Sequence, residues 1–101
     1  MNMGLDIVIY KNDAREVLEI KEKVHKEIYR GKIDLSEMIL LPMLSDYYKT
    51  NVFYDSKDIQ KLIVELSSIS SNMDFFIKNE INQIIEKISA PDISKIHIAG
   101  D

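Results

Sequence analysis

The side chains able to make or break bonds are His25, His97, Asp6 and a group of serines. His25 stands among Glu22, Lys26 and Tyr29, where an imidazole could act as a general base or a metal ligand. A metal site needs three or more converging ligands, and no second histidine lies at helical spacing from it. The spacing therefore favours a surface histidine on the charged side of a helix. His97 falls on the face opposite Ile96 and Ile98 and reads as a solvent-facing or partner-facing strand residue. Asp6 is flanked by apolar residues. If buried, its carboxyl could serve as an acid or base; the favoured alternative is a strand-edge carboxylate bonded to backbone. Ser67, Ser68, Ser70 and Ser71 offer hydroxyls without a nucleophile elbow or an organised base, and read as a helix end. Gly4, Gly31 and Gly100 are isolated, so there is no phosphate loop or dinucleotide fingerprint. The absence of cysteine removes thiolate catalysis, disulfides and thiolate zinc sites together. The expectation is no catalytic, metal or cofactor-binding residue, and not an enzyme.

The strongest local signal is aromatic. Tyr47, Tyr48, Phe53 and Tyr54 place four of the eight aromatic residues in one short window, with Asp46 and Asp55 at its ends and Lys49 inside. Tyrosine is enriched at interfaces because it combines a large contact area with a polar tip. Acidic residues beside it suit a basic partner. The same window could instead pack across a sheet as core. On the first reading the partner-binding residues are Asp46, Tyr47, Tyr48, Tyr54 and Asp55, with the glutamates of the first helix as the alternative face. Phe75 and Phe76 read as the first-turn anchor of the last helix.

The elements that must position these residues are few. Leu5–Tyr10 alternates as a strand with apolar residues on both faces, which predicts cover on both sides, by helices or by a partner. Asp13 with Glu16 resembles a capping box, and Val17, Ile20, Val24 and Ile28 recur at helical spacing, with Gly31 as the stop. Asp34 and Glu37 offer another cap-like pair before Met38–Leu41. Pro42 is expected to break or kink that element, with a short helical turn over 43–49. Val52–Tyr54 is either a short strand or an extended connector. Asp55 or Ser56 caps a helix carrying Ile59, Leu62, Ile63, Leu66 and Ile69, which the serine-rich stretch 67–72 ends. Asp74 caps a last helix with Ile77, Ile81, Ile84, Ile85 and Ile88, closed by Ala90-Pro91. Lys95–Ala99 alternates as a final strand. The pattern predicts an α+β fold, mainly helical. Three to four helices pack on a small sheet made by the N- and C-terminal strands, in one globular domain over 1–101.

With 46% hydrophobic and 30% charged residues the chain belongs to the globular class. Its net charge of −4 disfavours direct nucleic-acid binding, which needs a basic face. Lys21, Lys23 and Lys26 are interleaved with Glu19, Glu22 and Glu27. No apolar run is long enough for a bilayer, and no basic region opens the chain as in a secretory signal, so a cytoplasmic location is expected. An acidic surface favours a basic partner by long-range steering.

In general character the chain resembles small bacterial immunity proteins, which bind and neutralise a cognate toxin: it is small and acidic and carries the Asp46–Asp55 aromatic segment. The resemblance implies one-to-one capture of a basic, nuclease-type toxin domain by occlusion, without cofactor. The alternative is a self-associating regulatory or scaffold module, a homodimer paired through an edge strand such as Ile96-His97-Ile98.

Overall fold

The computed structural model describes residues 5–30 and 33–100. Strand β1 (Leu5–Lys11) turns directly into strand β2 (Arg15–Ile20). Asn12 and Asp13 occupy the corner, and the Lys11 N–H donates to the Ala14 carbonyl at 2.8 Å. A helix was expected to begin at Asp13, and here the structure corrects the sequence reading. Asn-Asp serves a two-residue hairpin corner as readily as a cap. Within β2 the inward residues are Glu16, Leu18 and Ile20, while Arg15, Val17 and Glu19 are exposed. Val17 and Ile20 matched a helical period only because that period ran across two elements.

Helix α1 is therefore short, Glu22–Tyr29, and buries Val24, His25 and Ile28. The expected stop at Gly31 lies outside the described residues. The Asp34–Glu37 pair starts no helix. Asp34 Oδ1 instead accepts the Ser36 N–H in a local turn, at 2.9 Å. Pro42 does not break the next segment. It sits in the first turn of a 3₁₀ helix over Leu41–Leu44, where its missing N–H costs nothing. The stretch after it is no helix either: Asp46 Oδ1 accepts from the N–H groups of Tyr48 and Lys49, folding 46–49 into a turn.

Strand β3 (Asn51–Asp55) resolves the ambiguity over Val52–Tyr54, and Asp55 then caps helix α2 (Ser56–Ser70) by accepting the Asp58 N–H. Helix α2 ends within the serine-rich stretch, as the sequence predicts. Ser70 and Ser71 hydroxyls donate back to the carbonyls of Ser67 and Ser68 at its end. Asp74 caps helix α3 (Phe75–Ile88) through the Ile77 N–H, and strand β4 (Ile93–Gly100) follows.

The sheet is fully antiparallel in the order β2-β1-β4-β3. The terminal strands β1 and β4 do pair, but they form its centre, not the whole of it. Its inner face presents Leu5, Ile7, Ile9, Ile96, Ile98 and Tyr54. These pack against Val24 and Ile28 of α1, Ile59, Leu62, Leu66 and Ile69 of α2, and Ile77, Ile81, Ile84 and Ile88 of α3. Each fully buried side chain of this kind contributes roughly 1.5–3 kcal/mol of transfer free energy. Among the described residues, three α-helices and one four-stranded sheet make an α+β architecture with the helices on one side.

Two further contacts fix the long 33–50 connection. The buried Glu65 carboxylate on α2 accepts from the N–H groups of Ile39, Leu40 and Leu41, at 2.8 Å from Leu41 and 3.2 Å from the others. At the far end, the Gly100 N–H donates to the Thr50 carbonyl at 2.8 Å. A Cβ on Gly100 would lie 2.4 Å from the Tyr47 carbonyl oxygen, so only glycine admits this approach. No helix among the described residues is long and apolar enough to cross a membrane.

Candidate protein-binding face

Alternate residues of every strand point away from the helices, and the strand register arranges them in three rows. The middle row reads Val17, Val8, His97, Phe53 across β2, β1, β4 and β3. One flanking row is Glu19, Asp6, Ala99, Asn51, and the other is Arg15, Tyr10, Lys95, Asp55. Phe53 is 58% and Val17 61% exposed. The second apolar face that Val8 and Tyr10 gave to β1 is thus uncovered by this chain's own helices.

His97 is organised within that middle row. Its ring stacks on Phe53, with centroids 4.0 Å apart and planes within 5°. Its Nε2–H donates to Asn51 Oδ1 at 2.6 Å. Lys95 Nζ lies 5.1 Å from the Tyr10 ring centroid and 5.4 Å from that of Phe53. The result is a pre-ordered aromatic platform whose side chains have already lost much of their rotamer freedom. Asp6 sits on interior strand β1, between Glu19 and Ala99, so the expected strand-edge position is corrected: β2 pairs where an edge was anticipated.

The aromatic segment divides between core and surface. Tyr47 is 8% exposed and its hydroxyl donates to the Ile20 carbonyl at 2.8 Å. Tyr54 is 3% exposed and donates to the Leu40 carbonyl at 3.2 Å. Burial raises the pKa of both phenols, that of Tyr54 to about 12. Asp46 is held in its turn and Asp55 is a helix cap. Tyr48 is exposed and donates to Glu22 Oε2 at 3.2 Å, edge-on to Tyr47 at 5.3 Å. Of the five sequence candidates, Asp46 and Tyr48 come together with Glu22 at the start of α1, Tyr48 bonding to both. Tyr47 supports Tyr48 from beneath. Tyr54 points into the core, and Asp55 lies beside Lys95.

His25 is not a surface residue. It is 7% exposed, and its Nε2–H donates to the Leu44 carbonyl at 2.8 Å. Its ring rests against Tyr29 and Tyr47 at 4.5 and 4.9 Å. Burial lowers its pKa, opposed by the Leu44 bond and the charges of Asp46 and Glu22. Because α1 starts at Glu22, positions 24, 25 and 28 form its inward face, and His25 takes the place the sequence reading had given to Ile20.

A cleft of about 470 Å³ opens between residues 33–38 and the α2–α3 junction. Its carboxylates already have structural duties: Glu27 pairs with Arg30 at 2.9 Å, Asp34 closes its turn and Asp74 caps α3. Among the described residues no group of three histidine, aspartate or glutamate side chains is disposed to hold a metal.

Phe53, Val8 and His97 are the surface residues the first reading missed as a set. The signal was present in the alternation. Phe53 lies between Val52 and Tyr54, and His97 between Ile96 and Ile98, so both project opposite the core. No family model, curated protein or solved structure matches the chain.

Proposed function

We propose that the protein is a binding module that captures one partner protein on the open face of its sheet and occludes it. The single observation that carries this reading is the uncovered row Val17–Val8–His97–Phe53, ordered by the Phe53–His97 stack. Apolar and aromatic side chains at the centre of a patch with charged margins match the anatomy of a specific interface. The acidic residues Glu19, Glu22 and Asp46, with the Tyr48 hydroxyl bonded to Glu22, and the net charge of −4 suit a basic partner. Together these support an immunity-type role in the cytoplasm, with a basic toxin domain as the protein held. Tyr48 and Phe53 are the anchors on this reading, and Tyr47 is a supporting core residue.

The test is capture of the product of the adjacent reading frame by the purified protein, together with protection of cells expressing both. Phe53→Ala and Tyr48→Ala should each weaken capture by about tenfold or more, the scale of a truncated hot spot. Phe75→Ala, on a helix far from the sheet's open face, should leave it unchanged. Equal affinity in folded wild-type and Phe53→Ala proteins removes the sheet face as the binding surface.

A further inference from the structure

We propose that two copies of the protein pair edge to edge through β2, across a two-fold axis at Val17, joining their sheets into a single eight-stranded one. The inference is independent of partner capture, because edge pairing leaves the open face of each sheet uncovered.

β2 is the outermost strand of the order β2-β1-β4-β3 and among the described residues pairs with no strand but β1, so its other edge carries a row of backbone donors and acceptors. Charge selects both the occupant and the register. When β2 meets its own copy antiparallel about Val17, Arg15 of each copy stands opposite Glu19 of the other. Two reciprocal ion pairs then flank a Val17–Val17 contact, all on the open face where these residues are exposed. On the inner face Glu16 meets Leu18, and Glu16 is already compensated by Lys11 at 3.0 Å and Lys87 at 3.3 Å. A half-step shift, with the axis between Val17 and Leu18, sets Glu16 against Glu19 twice. A full step to Leu18 sets Val17 against Glu19 and pairs no charges. Of these three registers, the Val17 axis alone matches opposite charges. The other outer strand, β3, offers no such match: about Phe53 it would set Asn51 against Asp55. In the Val17 register the middle row runs unbroken through both copies, from Phe53 of one to Phe53 of the other.

One strand pair is a small contact, so the dimer belongs to the weak end of the interface range and must be sought at high protein concentration. Sedimentation velocity of the full chain across a concentration series should show a reversible monomer–dimer equilibrium. Arg15→Glu should weaken it by about tenfold or more, since each pair turns from attraction to repulsion. The double variant Arg15→Glu/Glu19→Arg should return the dimer to within about threefold of wild type. Val17→Lys, which sets two ammonium groups face to face on the axis, should also abolish it. All these sites are exposed, and circular dichroism confirms folding of each variant. A monomer at every concentration overturns the proposal, as does a dimer indifferent to Arg15→Glu. A dimer lost in Phe53→Ala but kept in Arg15→Glu overturns it in favour of association through the sheet faces.

Discussion

His25 illustrates how the meaning of a residue depends on where its helix begins. Read on a helix from Asp13, it belonged with the glutamates and lysines; on a helix from Glu22, it faces Tyr29, Tyr47 and the Leu44 carbonyl. A carbonyl only accepts, so the bonded Nε2 carries the proton whether the ring is neutral or charged. The folded-state pKa lies below the ordinary 6.5, and burial is the main cause. Above that ordinary value the ring is neutral both folded and unfolded, and no penalty exists. As pH falls through it, the unfolded chain takes up a proton that the folded one resists, so stability declines. Urea unfolding at about pH 7.5 and about pH 5.5 should show this loss, and His25→Gln should reduce the difference. An undiminished slope in that variant would assign the acid sensitivity to other groups. Little in the local sequence marked this burial, since apart from Tyr29 the contacts, Leu44 and Tyr47, come from about twenty positions away.

Elements with strong one-sided periodicity were legible. The stripes Ile59–Ile69 and Ile77–Ile88 and the caps Asp55 and Asp74 lie where the sequence placed them. β1 and β4 were legible for the same reason. β2 was not, because Val17 and Leu18 adjoin and mask its alternation, and because Asn12-Asp13 fits two kinds of chain reversal. The 33–50 connection was illegible for a different reason. Its order comes from groups on other elements, above all the Glu65 carboxylate that gathers three successive N–H donors. Glu65→Ala would leave those donors without an acceptor in a buried site, at a cost of roughly 3–5 kcal/mol. The expected outcome is a large drop in the urea midpoint, with faster hydrogen exchange at Ile39, Leu40 and Leu41. Unchanged exchange at those amides would show that the connection is held by its apolar contacts alone. The open face was half legible: the tyrosine window drew attention to residues 47–54, but two of its tyrosines fill the core, and its exposed members are Tyr48 and Phe53.

For the molecule as a whole, the same burial that removes Tyr29, Tyr47 and Tyr54 from solvent sets an upper limit of pH. All three phenols have raised pKa values, with burial the leading cause, and Tyr54 reaches about 12. The unfolded chain ionises its tyrosines near 10, while the folded one keeps these three neutral. Stability is therefore intact below that value and is lost as pH rises beyond it. Phenolate absorbance of the native protein should lag behind that of the chain in denaturant, then rise together with the unfolding transition. Coincident curves would mean that the three hydroxyls are open to solvent. The centre of the sheet has a consequence for biosynthesis. β1 joins β4 across nearly the whole sequence, and among the described residues β3 pairs with no strand except β4. A nascent polypeptide halted before Ile93 holds at most one hairpin, and isoleucine-rich helices with half their floor missing. Until β4 is in place, the isoleucine stripes of α2 and α3 lack the strand that lies at the centre of the sheet they cover.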